Sequence, residues 1–147
     1  MLSSGEEYER LIYTLPNRYP SIEVSTLHLI PTGAAAGRLM GSVTFGEGIE
    51  LRVFEAIDFV AGETLDYGYT VYRGEERAYW YDPQEHPGDP SLASTFPHHK
   101  HVPPNIKRNR VPAPPLSFEQ PNLPFLIEEI ERDLLSAWKQ AQEPIDL

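Results

Sequence analysis

Three imidazoles and an ammonium fall within four residues at His98-His99-Lys100-His101. A fourth histidine, His86, lies upstream, and Asp82 stands between it and the aromatic run Tyr79-Trp80-Tyr81. Imidazole is the side chain that gains or loses a proton near neutral pH without help. The cluster therefore suits proton transfer, metal ligation or phosphate binding. Two histidines can serve as base and acid when a ribose 2′-OH attacks its own phosphodiester, and a nearby cation can stabilise the developing phosphorane. His98, His99 and His101 are the candidates for proton transfer, Asp82 for orienting a histidine, and Lys100 and Arg110 for phosphate. Lys107 and Arg108 are further cations, and His86 and Glu55 are second choices for the chemistry.

Metal ligation is the rival chemistry. His99 and His101 would share one side of an extended segment, and His86 or Glu55 could complete a ligand set. No H-E-x-x-H and no second spaced His pair is present, so the pattern by itself implies no metal and no other cofactor. The chain has no cysteine, which excludes thiolate ligands and disulfides. There is no G-x-S-x-G, and Gly33 to Gly37 lacks the Lys and the following helix of a phosphate loop. A third use of the histidines is structural, as a lid or partner-binding surface hydrogen-bonded to sheet carboxylates.

The elements that must position these groups can be read in order. Ser3 and Ser4 precede Glu6 and Glu7 in capping-box spacing, and Tyr8, Leu11, Ile12 and Leu15 follow near helical spacing. That predicts a short helix ending before Pro16. Ile22 to Ile30 reads as one strand. Gly41, Val43 and Phe45, then Ile49, Leu51, Val53 and Ile57, alternate across the hairpin signal Gly46-Glu47-Gly48. Leu65 to Tyr72 and Arg77 to Tyr81 form a second pair. Glu55 shares its face with Leu51, Val53 and Ile57, where an ionised carboxylate is costly unless paired. It is either a core carboxylate satisfied by Arg or Tyr, or a general acid or base with a raised pKa.

Tyr67 and Tyr69 share one strand face. Tyr79 and Tyr81 share one on the next strand, with Trp80 and Asp82 opposite. Such rings serve either as buried core or as a stacking surface for bases, and Tyr67, Tyr69 and Tyr81 are the candidates for RNA contact. From Pro83 to Pro124 there are 11 of the 15 prolines, so this segment can be neither a continuous helix nor a central strand. Its apolar anchors, among them Phe96, Val102 and Ile106, predict that it lies down on the sheet. Asn122 fits an N-cap and Pro124 a first turn. Leu126, Ile127, Ile130, Leu134 and Trp138 then form a stripe, with Glu128, Glu129, Glu131 and Arg132 outside it, over a helix from about Leu123 to Gln142.

The expected architecture is a single α+β domain spanning 1–147. Helix and antiparallel meander of four to five strands occupy 1–82, the Pro- and His-rich segment 83–121, and the C-terminal helix 122–142. The start of the chain lacks a signal peptide pattern, and no apolar run approaches the roughly 20 residues of a membrane span. A cytoplasmic protein without membrane contact is expected. Net charge is −10, which by itself argues against nucleic acid. Yet no acid lies between Asp89 and Glu119, where Lys100, Lys107, Arg108 and Arg110 fall. That basic stretch could be the functional face.

The run Tyr67-x-Tyr69, then Tyr81-Asp82, His86-Pro87 and Phe96-Pro97-His98-His99-Lys100-His101 resembles the TumE family of toxins, small bacterial and archaeal proteins. Asn109-Arg110-Val111-Pro112 and Pro121-Asn122-Leu123-Pro124 extend the resemblance, which covers roughly 53–130. Pro83 follows Asp82 where the family often carries Asn. The resemblance implies a toxin of a toxin–antitoxin module, neutralised by a cognate antitoxin of helix-turn-helix type. RNA is the implied target, and an enzyme of ribonuclease type the implied activity. A homodimer is compatible with the sequence.

Overall fold

The structure, a computed structural model, describes residues 4–135. Helix α1, Gly5–Arg18, starts at Ser4, whose side chain accepts from the Glu7 N–H, and Glu6 and Glu7 lie at the positive end of its dipole. Tyr8, Ile12 and Leu15 form its buried stripe. The helix runs past Pro16 rather than ending before it. Pro16 sits in the last turn, where it removes one hydrogen bond, and Tyr19 still closes the helix on the Leu15 carbonyl at 2.8 Å.

The sheet has eight strands rather than four or five. They are β1 (Ile22–Ser25), β2 (His28–Pro31), β3 (Ala36–Phe45), β4 (Ile49–Asp58), β5 (Glu63–Arg73), β6 (Glu76–Asp82), β7 (His99–His101) and β8 (Arg110–Pro112). The order is β1-β3-β4-β5-β6-β7-β8, with β2 also on β3, and every pairing is antiparallel.

Two causes raise the count. The predicted strand Ile22 to Ile30 breaks at Thr26, which bonds the Ser42 carbonyl through its N–H at 2.8 Å. There the chain passes so close over Gly41 that a Cβ would meet the Thr26 carbonyl oxygen at 2.5 Å, and Gly41 has φ +130°. The Pro-rich segment adds the other two strands. β7 is the proline-free triplet His-Lys-His, short enough to sit inside a sheet, and β8 carries Pro112 on the outer edge, where a missing N–H costs nothing. The segment also holds a 3-10 helix, Pro90–Thr95.

Helix α2, Leu123–Asp133, packs with α1 against one face of the sheet. Leu51, Val53, Tyr67, Tyr69, Val71, Tyr79 and Tyr81 meet Leu126, Ile127 and Ile130 there. Asn122 makes no side-chain cap. Its amide instead donates to the Tyr69 hydroxyl at 3.1 Å and the Ser117 carbonyl at 2.9 Å, tying the helix start to the core. Glu129 and Glu131 are buried rather than solvated, because polar partners meet them on the sheet side. Glu129 accepts from Tyr81 and Lys100, and Glu131 from Ser21. The predicted helix beyond residue 135, with Trp138, lies outside the described residues. Among the described residues no helix is long and apolar enough to cross a membrane.

Candidate functional site

The helix-free face of the sheet carries the site. β6 and β7 pair Trp80 with His101 and Asp82 with His99, and directly opposed residues share a face. Period two therefore puts Trp80, Asp82, His99 and His101 together, and sends His98 and Lys100 to the helix side. The connections before and after β7 close over the two histidines, which are 1% and 5% exposed. The Asp82 side chain keeps 25% exposure and is the opening to solvent.

The hydrogen bonds define each ring. His99 Nδ1 lies 3.0 Å from the Pro97 carbonyl and His101 Nδ1 lies 2.9 Å from the Ile106 carbonyl. A carbonyl only accepts, so both Nδ1 atoms carry hydrogen. Both Nε2 atoms then turn inward, 3.1 Å apart. Asp82 closes the triangle, with Oδ1 3.1 Å from His99 Nε2 and Oδ2 3.2 Å from His101 Nε2. Asp82 is itself held by the Gln84 N–H at 2.9 Å and the Trp80 indole N–H at 3.0 Å. The indole also stacks on His101, with ring centroids 4.1 Å apart.

The electrostatics follow from these contacts. Burial works to raise Asp82, but the hydrogen bond from His99, the Gln84 N–H and the His99 charge hold it well below the usual carboxylate range. Burial works to lower His99, and the Asp82 hydrogen bond together with the Pro97 carbonyl raises it above its ordinary value. His101 is lowered, by burial first, against the Ile106 carbonyl and Asp82. In neutral rings, three lone pairs converge on one point, which is favourable only with a positive charge between them. That charge is a proton or a metal ion. Ligand atoms at ~2.1 Å from a cation lie roughly 3.0–3.4 Å apart in octahedral or tetrahedral geometry. The two Nε2 atoms are that far apart, each is that far from its nearer Asp82 oxygen, and one ligand atom from each of the three residues falls within 4.8 Å of the others. Nδ1–H bonds to backbone carbonyls are the outer support that metal-binding histidines use.

Two further groups border the centre. Arg110 pairs with His101 across β7 and β8, and His86 packs edge-on against His99 at 5.0 Å between centroids. Arg110 Nε and His86 Nε2 are both buried with no hydrogen-bond partner among the described residues. His86 is pushed down by burial, then by Arg110 and His99. A cavity of about 340 Å³ opens beside His86, lined also by Asp89, Pro90 and Phe96.

The other candidates lie elsewhere. His98 bonds the Tyr67 hydroxyl at 2.6 Å and stacks on that ring, on the helix side. Lys100 bridges to Glu129 at 3.2 Å and lies 4.1 Å over the Tyr79 ring. Tyr67, Tyr69 and Tyr81 are core residues whose rings face the helices. Glu55 is buried on that same side and accepts from the Tyr8 and Tyr69 hydroxyls. Lys107 and Arg108 are exposed in the connection after β7. The carbonyls of Pro97 and Ile106 and the indole N–H of Trp80 carry no sequence signal as supports. Only the shared face of Trp80 and Asp82 hinted at the last.

No curated protein and no solved structure matches the chain. A family model described as toxin TumE matches residues 12–134, most of the chain, and the chain belongs to that toxin family.

Proposed function

We propose that the chain is the toxin of a toxin–antitoxin module that cuts RNA at a divalent cation held by Asp82, His99 and His101. Family membership supports a toxin with a cognate antitoxin. The observation that carries the chemistry is the convergence of the two Nε2 atoms and the Asp82 oxygens, with both Nδ1 atoms committed to carbonyls. A metal-free acid–base pair fits this geometry less well. Base and acid must reach opposite sides of the phosphorus, which needs roughly 6 Å or more between them, and the Nε2 atoms are 3.1 Å apart.

Two imidazoles and a carboxylate suit a first-row ion such as Zn²⁺. Bound there, such an ion supplies Lewis acidity to a phosphoryl oxygen and a water of lowered pKa. Arg110, the cross-strand neighbour of His101, would bind a non-bridging phosphate oxygen through its guanidinium, and His86, packed on His99, would border the same anion. The Trp80 indole and the Gln84 N–H fix the Asp82 carboxylate.

Metal analysis of the purified protein, followed by RNA cleavage with chelator and with Zn²⁺ restored, tests this reading. Cleavage should vanish on chelation, return with Zn²⁺ and be absent in His99→Gln/His101→Gln. Cleavage that survives chelation, or survives in that double variant, would sink it.

A further inference from the structure

Gly68 stands inside β5 with no need for glycine in its backbone, since its φ lies outside the left-handed region. Glycine weakens a strand interior, and it often marks a close approach of a ligand. A Cβ placed at Gly68 would meet no atom within 4 Å, so the position faces open space. Gly68 pairs with Phe54 on β4. On its other side the last β5–β6 pair is Tyr69 with Tyr81, and the same register brings Gly68 opposite Asp82. The missing side chain therefore leaves a gap on the helix-free face between the Phe54 ring and the Asp82 carboxylate. Those flanking strands lie roughly 9.5 Å apart, two strand spacings.

We infer that this gap seats a base of single-stranded RNA on the Phe54 ring, above Gly68, and so delivers the neighbouring phosphate to Asp82, His99 and His101. The inference rests on the RNA-cleaving reading and adds the form of the substrate and the residue that admits it. The charge at the centre suits a polyanion. Asp82 is the single acid in the two central cross-strand rows, which also hold Arg110, the partly buried ring of Trp80, and Arg52, itself ion-paired with Glu50. Arg77 lies 4.8 Å over that Trp80 ring, adding a cation at the border. The other acids of this face, Glu50, Asp58, Glu63 and Asp66, sit in the rows outside these two. A duplex hides its base faces, whereas a single strand offers them for stacking.

The test is binding of a short single-stranded oligoribonucleotide, 2′-O-methylated against cleavage, to the Zn²⁺-loaded chain, with a duplex of the same sequence beside it. Gly68→Val fills the gap with a residue suited to a strand. Phe54→Leu keeps apolar volume and removes the ring. Each should weaken single-strand binding roughly 10-fold or more, with Tm and Zn²⁺ affinity unchanged, and the duplex should bind more weakly than the single strand. Wild-type affinity in Gly68→Val, equal affinity for duplex, or no binding of RNA by the wild type would each overturn the inference. So would normal RNA binding with loss of antitoxin binding in Gly68→Val, since the gap would then belong to a protein partner. Zn²⁺ affinity and chelator sensitivity are read separately, so failure of the cation reading leaves a distinct signature.

Discussion

His99 and His101 bring their Nε2 atoms to 3.1 Å while each gives its Nδ1–H to a backbone carbonyl. Neither ring can turn its other nitrogen inward without breaking one of those bonds. In their neutral forms the two rings therefore present both Nε2 lone pairs toward the Asp82 carboxylate, and the predictions for the site follow from that arrangement.

Loss of one ligand should lower Zn²⁺ affinity steeply. His101→Gln or Asp82→Asn is expected to weaken it by about 100-fold or more, and Trp80→Phe, which removes one of the two N–H groups that hold Asp82 and keeps an aromatic ring for the stack on His101, by roughly 10- to 100-fold. Competition with a chromophoric chelator measures all three. Unchanged affinity in Asp82→Asn would remove the carboxylate from the ligand set.

Lys100 tests the division of labour between the two faces. Its bridge to Glu129 lies on the helix side, beside Tyr81. Lys100→Met should lower stability by about 2 kcal/mol, the scale of a hydrogen bond to a charged group, and leave Zn²⁺ affinity unchanged. Adding Glu129→Gln should recover part of the loss, because the stranded carboxylate is removed. Denaturant melts decide it. A variant of full stability with lost RNA cleavage would return Lys100 to phosphate binding.

Glu55 gives a pH signature far from the centre. Burial raises its folded pKa above the ordinary 4.5, against the hydrogen bonds from Tyr69 and Tyr8. A raised folded value means that its contribution to stability is complete below the ordinary value and is lost as pH climbs through the folded one. Glu55→Gln removes that titration. The difference in Tm, variant minus wild type, should therefore become more favourable to the variant as pH climbs above the ordinary carboxyl range. A difference independent of pH would show that Glu55 keeps its ordinary pKa.

Gly41 and Gly68 should respond in opposite ways. At Gly41 the φ of +130° and the Thr26 carbonyl 2.5 Å from a Cβ position leave no room, so Gly41→Ala should cost about 3 kcal/mol. Gly68→Val, in open space, should cost nothing. Thermal melts of the two variants make the comparison.

Alternation alone made much of the site legible. Period two placed His99 with His101 and Trp80 with Asp82, and it set Glu55 among Leu51, Val53 and Ile57 on a buried face. It also marked the central hairpins, while Pro124 marked the start of α2. These are local properties, fixed by the pleat of a strand or the turn of a helix, and residues close in sequence report them.

The joining of those pairs was decided only by the tertiary structure. β7 docks on β6 across an intervening stretch that holds the 3-10 helix, and that register, Asp82 on His99, depends on where the prolines let the chain return. The same docking sent Lys100 to Glu129 and His98 to Tyr67, separating neighbours in the His-Lys cluster onto opposite faces. Burial of Glu129 and Glu131, the split of the first predicted strand at Gly41 and the gap at Gly68 arise in the same way. Each depends on which distant backbone or side chain comes within a few ångströms, and no local pattern encodes a contact between residues far apart in the chain.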